Sequence, residues 1–231
     1  MTQETIDPLA TSARSELRRR PDRGSRERAV VNAILDEALV CHVAFVEDSL
    51  PVVIPSTPWR IGEWLYLHGA ACGRLTQVVG SGQPVSVSVA LVDGLVFSRS
   101  AMRHSCRYRS VVLFGQGEVV SDPVEKAEAL LRLVDRLSPG RSGLVRPPDD
   151  KELAATGVVR LRIEEGSAKI SASPLAQVEK DSGWDVWTGI MPLAVRAGSP
   201  QPAEGADSHP SPPLWPWLDQ GLNGTWTPGR P

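Results

Sequence analysis

The stretch Trp64–Arg74, WLYLHGAACGR, brings together residue types that could hold an anion. Trp64 to Leu67 form an aromatic and aliphatic run of strand length. The run stops in His68-Gly69-Ala70-Ala71 and Cys72-Gly73-Arg74, and a helical pattern follows. A strand that ends in small residues before a helix leaves backbone N–H groups unshielded, and Arg74 adds a cation at the helix start. That is a cradle for a phosphate-like group. His68 stands beside it, either as a neutral acceptor toward a ligand or as a turn residue. His104, in the cation-rich SRSAMRHSCRYR (98–109), is the second candidate for chemistry. His42 falls inside a buried strand pattern and reads as a core histidine.

Other chemistries are disfavoured. Gly69 to Gly73 is one residue too short for a nucleotide-hydrolase loop, and Arg replaces its Lys. Gly115-x-Gly117 lacks the rest of a dinucleotide fingerprint and reads as a bulge or bend. No Ser/His/Asp order and no paired-carboxylate spacing suggests a hydrolase. The three cysteines, Cys41, Cys72 and Cys106, lack metal-ligand spacing, so reduced thiols in a cytoplasmic protein are expected, with no metal. A net charge of −2 argues against a dedicated nucleic-acid binder. No apolar run has the length of a membrane span, and the N-terminus lacks a secretory signal's apolar stretch. Asn223-Gly224-Thr225 fits a glycosylation sequon by chance.

The elements around the cradle are mostly strands. Residues 40–47, 51–55, 84–92, 110–120, 158–163 and 168–170 carry strand patterns, and Asp93-Gly94 signals a hairpin with 95–97 returning. Helices are expected after Ser25, after Arg74, and over 123–137, where Asp122 and Glu125 suit a capping box. Tight turns between strands imply antiparallel pairing, hence an antiparallel barrel with helices outside. Residues 1–24 read as a flexible arm, 25–195 as one domain, and 196–231 as a Pro/Gly-rich disordered tail. In that tail Trp215, Trp217 and Trp226 could dock on a partner.

In order along the chain, ILDEALVCHVAF (34–45), PVVIPSTPWR (51–60), LYLHGAACGR (65–74), DGLVFSRSAMRHS (93–105), YRSVVLFGQGEVV (108–120), EKAEALLRLVDRLSPGR (125–141), SAK (167–169) and VWTGIMPL (186–193) resemble the pyridoxamine 5′-phosphate oxidase-like proteins. These are FMN-binding split barrels, and the similar branch includes nitroimidazole resistance proteins. The resemblance implies a six-stranded antiparallel split barrel of Greek-key type with peripheral helices. It also implies a homodimer with FMN at the interface and a small organic substrate.

By position, Arg74 would hold the FMN phosphate. His68, Gly69 and Ala70 would bring backbone to the flavin, and Ile54, Pro55, Ser56 and Thr57 would line its ring. Trp187 and Gly189 resemble a C-terminal Trp-x-Gly segment that reaches the site. His104, Ser105, Tyr108, Arg109 and Ser110 would reach the pocket or the partner subunit. Arg107 stands where the branch usually has Asn, Cys72 is unusual, and Ser171-Ala172-Ser173 lacks the usual Arg. These departures bear on substrate choice. The implied activity is that of an FMN-dependent oxidoreductase. The alternatives are a flavin-storing or flavin-sensing protein without turnover, and a haem-binding split barrel.

Overall fold

The computed structural model describes residues 8–172, 178–206 and 209–219. The strands are β1 (Gly24–Ser25), β2 (Cys41–Glu47), β3 (Leu50–Ser56), β4 (Trp59–Ile61) and β5 (Trp64–Ala70). Further along come β6 (Pro84–Phe97), β7 (Ser105–Val119), β8 (Thr156–Arg162), β9 (Glu165–Ser171) and β10 (Gly189–Pro192). The α-helices are α1 (Arg28–Glu37), α2 (Arg74–Gly80), α3 (Pro123–Leu137), α4 (Asp150–Ala155) and α5 (Pro216–Asp219).

Neighbouring strands run in the order β3-β2-β6-β7-β8-β5-β4, with β9 and β1 added beside β7 and β10 beside β6. Every named ladder is antiparallel. The two ends of the path, β3 and β4, are consecutive in the chain and joined by Thr57-Pro58, with no ladder between them. The sheet therefore curls into a split antiparallel barrel. Ten strands appear because β1, β4 and β10 are short additions of two to four residues.

Alternation decides the core. Cys41, Val43 and Phe45 of β2 point inward with Val85, Val87 and Val89 of β6, Val111 and Leu113 of β7, and Leu65 and Leu67 of β5. Val31, Ile34 and Leu35 on α1 close the barrel. A second, smaller core under α3 holds Trp59, Tyr66, Val120, Ala129 and Val158. β7 serves both halves. Residues 108–114 pair with β9, and 117–119 pair with β8. Gly115 and Gly117 sit where it changes partner.

Several expectations are corrected. Asp93-Gly94 does not turn the chain; β6 runs through it with a register shift between Val92 and Gly94. The reason is that Arg109 grips the buried Asp93 carboxylate, so the residue serves a pair within the sheet. His42 is exposed, because its neighbours Cys41 and Val43 take the inward positions. Residues 158–163 and 168–170, which read as a final strand pair around Glu164-Glu165-Gly166, do not pair with each other; β8 and β9 flank different parts of β7. On α3 the Asp122 side chain accepts from Val124 N, but Glu125 is drawn away to Arg160 and Tyr66. The capping box forms instead on α4, from Asp149 and Glu152.

The expected flexible arm is docked from Pro8 onward. Leu9 is buried, Ala10 N donates to Glu164 O, and β1 pairs with β9. Burying one Leu side chain contributes roughly 1.5–3 kcal/mol, which offsets part of the entropy of ordering the segment. Arg14 adds a bidentate pair to Glu165, and Ser12 Oγ donates to the same carboxylate. In the tail, Trp215 Nε1 donates to Arg136 O and Ser138 Oγ to Pro213 O, so this tryptophan meets α3 of its own chain. Trp226 and the 223–225 sequon lie outside the described residues.

Arg14 and Ser12 hold the Glu165 carboxyl at about 2, below its ordinary 4.5. A depressed carboxylate stabilises the fold above its unfolded value, and the contribution disappears as pH falls through the folded one. Urea midpoints are therefore expected to fall more steeply in the wild type than in Glu165→Gln as pH drops from 4.5 toward 2. Parallel curves for the two proteins would show that the clasp adds nothing.

Candidate functional site

The end of β5 is built by register. Pairing of Trp64–Ala70 with β8 from Arg162 to Thr156 sends Leu65 and Leu67 inward and leaves Tyr66 and His68 on the α3 side. The chain then turns tightly: Gly73 N donates to Ala70 O at 2.8 Å, and Thr76 Oγ1 donates to Ala70 O at 2.7 Å and Gly73 O at 2.8 Å. A Cβ at Gly73 would lie 3.0 Å from Ala70 O, so the turn needs a very small residue there. Thr76 is thus a buried tie that pins α2 to the strand end. Nothing in its sequence position announced that role.

Arg74 opens α2. Its guanidinium lies 5.8 Å from the Phe45 ring centroid, pairs with Glu47, and is half exposed. Because α2 has only seven residues, the charge of Arg74 outweighs any helix dipole. Phe45 and Glu47 both lie at the end of β2, beside the start of β3. Arg74 therefore stands at one end of the split, facing solvent with a single exchangeable carboxylate partner.

Ile54, Pro55, Ser56 and Thr57 stand on the other lip. β3 is an edge strand, so the outer side of its backbone has no ladder partner. Ile54 packs on the core, Pro55 is exposed, and Ser56 and Thr57 are half-buried. Thr57 leads through Pro58 to Trp59, whose ring centroid is 5.8 Å from that of His68. Trp59 thus links the β3 lip to the β5 end. Burial lowers the pKa of His68, so the imidazole is neutral at pH 7, and its Nδ1 has no hydrogen-bond partner among the described residues.

The remaining expected residues are elsewhere. Tyr108, Arg109 and Ser110 lie in the middle of β7, between β6 and β9. Arg109 is already engaged, with bidentate contacts to Glu37 and further bonds to Asp93 of 2.7–3.2 Å, which raise its pKa further. Tyr108 and Ser110 take the opposite, outward face of the sheet. His104 and Trp187 meet across Phe97 at 6.0 and 5.6 Å, on the arm made by the ends of β6 and β7. A Cβ at Gly189 would lie 2.6 Å from the Trp187 ring, so Trp-x-Gly is a local fold-back. Phe97 is 13 residues from Pro84 along β6, about 40 Å at 3.3 Å per residue. One chain alone does not bring His104 or Trp187 to Arg74.

A cavity of about 310 Å³ lies on the other side of α2, lined by Thr76, Gln77, Ser81 and Lys126 among others. All four of these side chains donate to backbone carbonyls. Among the described residues no group of three or more His, Cys, Asp or Glu could hold a metal ion, and no helix is long and apolar enough to cross a membrane.

An antiparallel sheet whose two ends, β3 and β4, are consecutive yet unpaired defines the split-barrel class. The pyridoxamine 5′-phosphate oxidase family model matches residues 27–170, and the chain belongs to that family. The flavocytochrome Anf3 from Azotobacter vinelandii superposes with a TM-score of 0.79 at 35% identity, over 91% of this chain and 97% of that one. An FAD and heme binding protein from Mycobacterium smegmatis gives 0.77 at 35% identity, over 83% and 94%. A chain described as a 5-nitroimidazole antibiotic resistance protein from Bacteroides thetaiotaomicron shares the fold, with a TM-score of 0.53 at 19% identity over 64% and 86%. No curated protein sequence matches the chain.

Arg109 is expected to matter for stability. Arg109→Met leaves the buried Asp93 carboxylate without its cation, and removing one partner of a buried pair costs roughly 3 kcal/mol or more. Urea unfolding measures this directly; a loss below about 1 kcal/mol would place the network among weak surface pairs.

Proposed function

We propose that this protein binds a flavin in the split between β3 and β5 and uses it as an oxidoreductase on a small organic substrate. The observation that carries the reading is Arg74, held over Phe45 at the end of the split whose other lip is the unpaired edge of β3. A flavin needs a cation for its phosphate and backbone groups plus an apolar wall for its ring. Arg74 supplies the first and Ile54–Thr57 the second, with the backbone of His68, Gly69 and Ala70 between them. The bound flavin would supply hydride or single-electron transfer. The residues position it and exclude water. Two relatives at 35% identity named for flavin or FAD together with haem support the reading.

The isoalloxazine, ribityl chain and first phosphate are common to FMN and FAD. FMN is the ligand the sequence motifs imply, and FAD is the one named for the mycobacterial relative. The purified protein is expected to be yellow, and chromatography of the released flavin reads which of the two it carries. A colourless protein that takes up neither flavin in titration overturns the proposal. Bound flavin that no nicotinamide nucleotide or substrate panel reduces would instead favour storage or sensing.

For Arg74→Ala, flavin binding is expected to weaken by roughly 1.5–3 kcal/mol, the scale of a hydrogen bond to a charged group. Glu47→Gln removes the competing carboxylate and is expected to tighten it. An unchanged dissociation constant in the first variant would place the phosphate elsewhere.

The proposal includes a homodimer in a cytoplasmic setting. Val46, Val53 and Val92 on the outer face of the sheet are each at least half exposed, an apolar surface suited to a second copy. Pairing across it would give Tyr108 and Ser110 a partner and could carry His104 and Trp187 toward the other chain's split. Light scattering on the eluted protein tests this; a monomer at micromolar concentration contradicts it.

Haem is the second reading. A neutral, half-buried imidazole suits an iron ligand, and His68 is that residue; its Nδ1 is buried, so Nε2 is the nitrogen that would meet the iron. A Soret band on haem addition that disappears in His68→Ala but persists in His104→Ala is the expected signature. A band unaffected by His68→Ala removes this assignment.

A further inference from the structure

We propose that Trp59, Tyr66 and Trp64 form a one-electron relay from the cofactor end of β5 to the protein surface, with Arg160 as the bridge in its last step. The direction of the relay rests on the cofactor reading given above, because that reading places His68 at the inner end.

The geometry is a continuous path. The His68 and Trp59 ring centroids are 5.8 Å apart, and those of Trp59 and Tyr66 are 5.7 Å apart at 27°, a stacked pair. Tyr66 Oη is 3.5 Å from Arg160 Nη1, and the Arg160 guanidinium carbon lies 4.3 Å from the Trp64 ring centroid. Trp59 and Tyr66 are buried, and Trp64 is half-buried at the outer end. Tryptophan and tyrosine are the side chains most easily oxidised by one electron among aromatic residues, so this is a row of redox-competent groups.

Two features exceed what a packed core needs. The Tyr66 hydroxyl donates to Glu125 Oε1 at 3.2 Å, which gives a phenol a carboxylate as proton acceptor. The buried Trp59 Nε1–H meets no acceptor among the described residues. An indole radical cation without an acceptor keeps its proton and remains a strong oxidant. It therefore draws an electron from its stacked neighbour.

A one-electron oxidant of the excited-flavin or ruthenium(III) polypyridyl class at the cofactor end would take an electron from Trp59, itself being reduced by one electron, and leave the indole radical cation. Trp59 takes an electron from Tyr66, whose O–H bond breaks; the proton passes to the Glu125 carboxylate. The products are neutral Trp59, a neutral tyrosyl radical and a protonated Glu125. A surface reductant of the thiol or ascorbate class, acting directly or through Trp64, returns the electron, and Glu125 returns the proton.

The test needs no bound flavin. Cys72 and Cys106 are the exposed thiols and Cys41 is buried, so Cys106→Ser leaves Cys72 as the attachment point for a ruthenium polypyridyl photo-oxidant. Cys72 is four positions beyond His68. After flash oxidation of the full-length labelled protein, transient absorption should show a tyrosyl radical. The chain has two tyrosines. Tyr66→Phe should abolish the signal and Tyr108→Phe should leave it. Trp59→Phe should slow its formation on the order of tenfold. Glu125→Gln, which leaves every aromatic residue in place, should slow it as well and lower its dependence on deuterated water. No tyrosyl radical in the parent, a signal that survives Tyr66→Phe, or an unchanged rate in Trp59→Phe overturns the relay. Absence of flavin from the purified protein would overturn only the cofactor reading.

Discussion

The site depends on how closely α2 can approach the barrel, and three glycines set that distance. A Cβ at Gly117 would lie 2.3 Å from Val79 Cγ1, at Gly80 2.5 Å from Val119 Cγ2, and at Gly157 2.8 Å from Thr76 Cγ2. Real Cβ atoms do not make such contacts, so a side chain at any of these positions would lift the helix or bend a strand. The same place on β7 is where the strand leaves β9 and joins β8. One local requirement for the absence of side chains therefore seats the helix where β7 changes partner. The seat in turn fixes where Arg74 emerges and which residues of β2 it meets.

Two arginines show how burial divides a charge locked into the fold from one open to exchange. Arg109 is embraced by Glu37 and Asp93, one of them buried, and a displaced carboxylate there would be stranded away from water. No incoming anion can compete for that guanidinium at reasonable cost. Arg74 is half exposed and has one partner, Glu47, which is itself partly in solvent. Exposed pairs of this kind contribute about 1 kcal/mol or less, so a phosphate can displace the carboxylate. The distribution of partners, more than the residue type, marks Arg74 as the available cation.

Much of this was legible in the sequence. The inward set of β6 follows from simple alternation and the Pro-led start of α3 from its cap. The strand end in small residues before a helix at Arg74 was visible as well. What was hidden depends on partners distant in sequence. Asp93-Gly94 has every mark of a turn, yet Arg109, 16 positions away, holds Asp93 inside a continuous strand. Arg14 and Glu165 are 151 positions apart, and no local pattern shows that they clasp the N-terminal segment to β9. Trp187 and His104 look like site residues in sequence, but one chain places them on an arm, where only a second copy could bring them to the split.

Arg74 is proposed to hold the phosphate of a flavin. The most direct test compares calorimetric titrations of FMN and of riboflavin, which lacks the phosphate, into the wild type and Arg74→Ala. The two changes remove opposite ends of one contact, so their coupling isolates it. The account predicts that the wild type prefers FMN by about 1.5–3 kcal/mol and that Arg74→Ala loses most of this preference. An equal preference for FMN in both proteins would contradict it.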